Sequence, residues 1–96
     1  MRTVRVTRRP GDDPLAFEVE VGDDAGRTRH EVTLAPTHLA RLAPGVAPEL
    51  CVEAAFRFLL DREPRETILG RFDLSVIARF FPEFERKFPG YLSATS

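Results

Sequence analysis

The chain has 96 residues, 43% of them hydrophobic and 30% charged, which excludes a disordered tail and fits one soluble domain. A domain of this size removes roughly 60–65% of its unfolded surface from water on folding. The formal net charge is −1 with acids and bases in both halves, so a nucleic-acid binder would need a local basic face rather than overall charge.

The first segment, MRTVRVTRRPGDD, carries charge but no apolar stretch, so no secretory signal is expected. Residues 3–8 alternate, with Val4 and Val6 on one face and Thr3, Arg5 and Thr7 on the other. Residues 15–21 alternate more strongly, with Leu15, Phe17, Val19 and Val21 inward and Glu18 and Glu20 outward. Residues 27–34 put Thr28, His30, Val32 and Leu34 on one face and Arg29, Glu31 and Thr33 on the other. Period-two alternation predicts strands with one wet face, and the short connections rich in Gly, Pro and Asp make consecutive strands antiparallel. The expectation is a three-stranded antiparallel meander over residues 1–35.

From Pro36 the period changes to a helical one. Leu39 and Leu42 precede the stop at Pro44-Gly45, and Pro48 opens a second helix with Glu49 in its first turn. Through residue 62 the polar residues Glu49, Glu53, Arg57 and Asp61 recur every four positions, and nearly everything else is apolar. So narrow a wet stripe predicts a central, mostly buried helix. Pro64 ends it, Arg65 to Leu69 reads as one short turn of helix, and Gly70 stops that turn.

Asp73 reads as the N-cap of a helix starting at Leu74. From there Leu74, Ile77, Phe81, Phe84 and Phe88 repeat at 3, 4, 3 and 4, straight through Pro82. Pro82 therefore kinks one helix or separates two. Pro89-Gly90 reads as the end, with residues 91–96 a frayed tail. The fold class is α+β: one domain, 1–96, with the meander followed by three or four helices, spanning 36–90, on one sheet face. Val4, Val6, Phe17, Val19, Val21, Val32 and Leu34 should face Phe56, Leu59, Leu60, Ile77 and Phe81.

Few residues suggest chemistry. Cys51, the lone cysteine, sits among Leu50, Val52, Ala54 and Ala55, where a cysteine is usually a small core residue rather than a nucleophile. It has no partner for an intrachain disulfide, which favours a cytoplasmic location. His30 and His38 with Cys51 lack metal-ligand spacing. Asp12-Asp13 and Asp23-Asp24 read as turn formers, not as a calcium loop. No glycine-rich phosphate loop and no nucleophile elbow occur. The residues 74–81 offer only Ser75 and Arg79 as polar groups, too few for a helix that reads base edges. No cofactor, no metal and no catalytic residue are therefore expected, and no apolar run approaches the ~20 residues of a membrane span.

The stretch Phe56 to Glu85 resembles the C-terminal part of a group of short bacterial proteins with no assigned activity. The likeness rests on Phe58-Leu59-Leu60, Arg62-Glu63-Pro64, Ile68-Leu69, Phe72-Asp73-Leu74-Ser75 and Phe81-Pro82-Glu83. It implies a bacterial, intracellular, stand-alone protein and carries over no functional residue.

Two functional expectations follow from these residues. The first is a non-enzymatic interaction or regulatory module with an unidentified protein partner, self-associating as a two-fold dimer. The seven phenylalanines between Cys51 and Phe88 supply more apolar surface than one small sheet covers, which makes Phe80, Phe81, Phe84 and Phe88 the candidate interface. The competing expectation is that sheet and central helix bury them all, with Phe84 and Phe88 under the short helix from Pro36. The second function is a DNA-binding regulator or antitoxin-like dimer using Arg2, Arg5, Arg8 and Arg9, four arginines with no acid among the first nine residues. Glu18 or Glu20 across from Arg5 weakens it, and nucleic acid is the lesser expectation.

Overall fold

The alternating segments are strands in the computed structural model, which describes residues 2–95. β1 (Thr3–Asp12), β2 (Leu15–Asp23) and β3 (Gly26–Leu34) form the antiparallel meander. The register sets Val4 across from Val21, Val6 from Val19 and Phe17 from Val32, so one face is a continuous apolar row. Two-residue turns hold this register. At the second turn Asp23 Oδ1 accepts from the backbone N–H groups of Ala25 (2.8 Å) and Gly26 (3.1 Å), and Gly26 takes a φ of +154° that other residues rarely adopt.

The chain then crosses the sheet as α1 (Pro36–Leu42) and α2 (Pro48–Leu60), each opened by a proline at its first turn. Cys51, Val52, Ala54, Ala55, Phe56, Phe58, Leu59 and Leu60 of α2 are all buried, leaving the polar stripe at the surface; Glu53 and Arg57 pair at 3.2 Å. α2 is the central helix that the sequence predicts. Phe56 sits between sheet residues, 5.4 Å from the His30 ring and 5.9 Å from Phe72.

The sheet has a fourth strand that the sequence reading lacks. β4 (Arg71–Asp73) lies parallel to β3, with Val32 aligned to Phe72, making a mixed sheet in the order β1-β2-β3-β4. The helical crossover reverses the chain so that β4 runs in the same direction as β3, beside Glu31 to Thr33 near its end. Between α2 and β4 the expected helical turn is shorter, a 3₁₀ turn at Arg65–Thr67. Asp73 does not cap a helix from Leu74. Its Oδ2 accepts from Ser75 N–H (3.0 Å) and its Oδ1 from the Thr33 hydroxyl (2.6 Å), so it closes the turn out of β4.

The expected apolar seam belongs to two helices, α3 (Val76–Phe80) and α4 (Phe84–Thr95), broken at Phe81-Pro82-Glu83. Pro82 separates rather than kinks. Nor does Pro89-Gly90 end α4: Pro89 forfeits one backbone rung, yet the helix runs on to Thr95, so residues 91–95 are not a frayed tail. Contacts with α2 hold that last part. The Tyr91 ring lies edge-on to Phe58 at 5.6 Å, and its hydroxyl binds Asp61 and accepts from Arg62 (3.3 Å). No helix among the described residues is long and apolar enough to cross a membrane.

Ion pairs staple distant segments. Arg65, buried, makes a two-pronged contact with Asp23 (3.1 and 3.2 Å), tying the 3₁₀ turn to the β2–β3 turn; Arg71 holds Glu31, and Arg41 holds Glu85 (2.8 Å). The hydrogen bond from Arg65 holds Asp23 below the usual carboxylate range, as Arg71 does Glu31 and Arg41 does Glu85. A carboxylate with a folded-state pKa below its unfolded value stabilises the fold above that unfolded value and stops doing so once protonated. Stability is therefore expected to be flat near neutrality and to fall below about pH 4, where free carboxyls titrate. Urea midpoints in neutral and acid buffer measure it, and a midpoint that rises on acidification would contradict the pairing.

Candidate protein-docking surface

Ser75 and Ile77 flank Val76 at the start of α3, whose inward residue is Ile77. Phe80 and Phe81, adjacent in sequence, then diverge. Phe81 turns inward to meet Phe58 edge-on at 5.8 Å, whereas Phe80 stays 67% exposed. Leu69, in the loop before β4, is 50% exposed; these are the exposed large hydrophobic side chains among the described residues, and both border one groove of about 360 Å³. Its floor is Leu59, Ile68, Phe72 and Ile77, each less than one-tenth exposed.

The groove's polar members are spoken for. The Thr67 hydroxyl has one proton shared between two acceptors, Glu63 Oε1 (2.8 Å) and the Pro64 carbonyl (2.9 Å). What remains is an apolar trough with aromatic and aliphatic rims.

The loop bearing Leu69 is fixed from the sheet. His30, buried on the helical face of β3, donates from Nδ1 to the Leu69 carbonyl (2.8 Å), and the Thr28 hydroxyl lies 2.9 Å from Nε2. His30 is thus a positioning residue, a role no spacing in the sequence reveals because its partner lies 39 positions away.

The four phenylalanines singled out as an interface divide. Phe80 is exposed and Phe81 partly buried, but Phe84 (1% exposed) and Phe88 (0%) belong to the core. Phe84 meets Phe58 edge-on at 4.9 Å and packs against Phe88 at 5.2 Å, so α2 helps to cover them, and Leu39 and Leu42 of α1 pack against the same core. An interface containing Phe84 and Phe88 is therefore ruled out in the folded chain.

The arginines are mostly matched within the chain. Arg2 donates to the Leu60 carbonyl (3.2 Å) at the end of α2 and lies 3.8 Å from Asp61; Arg8 pairs with Asp12 (3.3 Å) and Arg9 with Glu18. Arg5 sits across from Glu20, but Glu20 engages Arg27 and Arg29. The wet face of the sheet is a mixed-charge lattice, and Arg2 lies away from the others at the α2 terminus.

Cys51 is fully buried, and burial pushes its thiol up to about 11, which keeps it protonated and inert. Among the described residues no group of three or more His, Cys, Asp or Glu side chains could hold a metal ion. No protein-family model, curated protein or solved structure matches the chain.

Proposed function

We propose that the protein is a non-enzymatic interaction module that self-associates through the Leu69–Phe80 groove. The carrying observation is that the two exposed large hydrophobic side chains among the described residues lie on the rim of the same apolar groove. Scattered single exposures are ordinary, but a paired aromatic and aliphatic rim around a concave apolar floor is the anatomy of an interface centre. The commonest partner for such a patch is its symmetry copy. Neutralisation of Arg2, Arg8 and Arg9 by acids on the same chain leaves the nucleic-acid alternative without a comparable feature. A buried, unpaired thiol fits a reducing compartment such as the cytoplasm.

Sedimentation equilibrium at micromolar concentration tests this reading. Wild type is expected at twice the 10.8 kDa chain mass, and Phe80→Glu at the chain mass with an unchanged circular dichroism spectrum. A wild-type protein that sediments as 10.8 kDa would overturn self-association.

A further inference from the structure

We infer that two copies pair edge to edge through β4, antiparallel about a two-fold axis at Phe72, joining their four-stranded sheets into one of eight strands. This rests on the self-association proposed above and specifies its geometry.

The backbone of β4 carries the inference. Glu31 N–H donates to the Gly70 carbonyl (2.8 Å), and Leu74 N–H to the Thr33 carbonyl (2.9 Å). Alternate residues of a strand direct their backbone groups to the same side, so Gly70, Phe72 and Leu74 face β3. Arg71 and Asp73 therefore turn their N–H and C=O groups outward, at a sheet edge with no further strand among the described residues. Two donors and two acceptors in that row are satisfied best by another extended backbone.

A second copy of β4 is self-complementary to this edge. With Phe72 on the axis, Arg71 N–H meets the carbonyl of the partner's Asp73, and Asp73 N–H meets the carbonyl of the partner's Arg71. Symmetry repeats both bonds, and all the outward groups of both strands are used. The side chains agree with the backbone. Arg71 and Asp73 share the wet face, so opposite charges face each other across the seam, with Arg71 also holding Glu31 and Asp73 also accepting from Thr33 and Ser75. Centring the pair on Arg71 or Asp73 instead would set like charges face to face.

The apolar surface fits the same axis. It stands perpendicular to the sheet, so both helical layers remain on one side and the two grooves adjoin along the seam. Phe72 forms part of each groove floor, and Leu69 and Phe80 rise beside it. The opposite edge is blunted against self-pairing: β1 carries Arg5, Arg8 and Arg9, Pro10, and a register irregularity between Arg9 and Asp12.

Arg71→Pro tests the edge directly. Its N–H has no partner among the described residues, so proline removes an outward donor and places a ring in the seam, at the cost of the exposed pair with Glu31. The dimer dissociation constant is expected to rise about tenfold or more, with the melting curve of the dilute protein shifted no further than by Glu31→Gln, which breaks the same ion pair without touching the edge. If that variant fails to fold, Arg71→Asp serves instead: it sets two aspartates opposite, and the loosened dimer should tighten with added salt. In wild type, the amides of Arg71 and Asp73 should gain protection from hydrogen exchange as concentration passes through the dissociation constant. Folded Arg71 variants that dimerise like wild type, or amide exchange independent of concentration, would overturn edge pairing. If Phe80→Glu still dissociates the dimer in that case, self-association through the groove stands without the edge; a monomeric wild type overturns both.

Discussion

Replacing Phe58 by alanine is expected to destabilise the fold by about 3–5 kcal/mol, the range for emptying a buried phenylalanine site. Phe58 is the hub of the helical layer. Its ring is fully buried and meets Phe81, Phe84 and Tyr91 edge-on, at 5.8, 4.9 and 5.6 Å. Arg62 lies over its face, 3.6 Å from the centroid. Alanine would leave a void facing α4 and the Phe81 turn at once, and neither can close it without abandoning the other. Arg62 would also lose its aromatic support, although Glu83 (3.0 Å) would still hold it. A domain of this size has only about 5–15 kcal/mol of net stability, so this single change consumes a large fraction. Urea titration of the variant checks the figure, and a midpoint equal to wild type would show that α2 and α4 do not meet through Phe58.

The hub explains which features the sequence made legible. β2 announces itself with four apolar residues at period two, β1 and β3 with two apolar residues each inside an alternating run, and α2 because its polar stripe spans more than three turns. β4 has three residues, of which only Phe72 faces inward, so no period exists to detect. Its strand character comes from alignment with Glu31, Val32 and Thr33, 40 positions earlier. The far half of α4 is hidden for a related reason. Pro89-Gly90 is a local stop signal, and the contacts that override it, Tyr91 with Phe58, Asp61 and Arg62, are all tertiary.

The aromatic seam was legible as a property of side chains but not as an element. Leu74, Ile77, Phe84 and Phe88 are all buried, as their spacing implies, although they lie in the turn before α3, in α3 and in α4 rather than in one helix. Periodicity identifies what points inward without saying what lies there. The surface left over for a partner is Phe80, one position off the seam, together with Leu69 from a different element. That juxtaposition depends on the His30 hydrogen bond to the Leu69 carbonyl and so had no signature in the chain.

Phe84→Glu is expected to unfold the protein rather than merely dissociate it, which separates core from interface by experiment. Phe84 is 1% exposed and wedged between Phe58 and Phe88. A carboxylate there loses its water and gains no cation: Arg41 is engaged by Glu85 and Arg62 by Glu83. Ionised, it carries the desolvation cost of an unpaired buried charge; protonated, it still replaces a packed ring with a smaller polar group. Either route places the loss at more than about 4 kcal/mol, among the most severe effects of single substitutions. Phe80→Glu, on the exposed rim, sets a charge in water and should leave the monomer's helical signal and urea midpoint near wild type. The two variants differ by four positions, so composition and proximity are matched. Circular dichroism of both at concentrations below the dimer dissociation constant gives the readout. Loss of helical signal in Phe84→Glu alone assigns Phe84 to the core of one chain, whereas two folded monomers would return it to the interface.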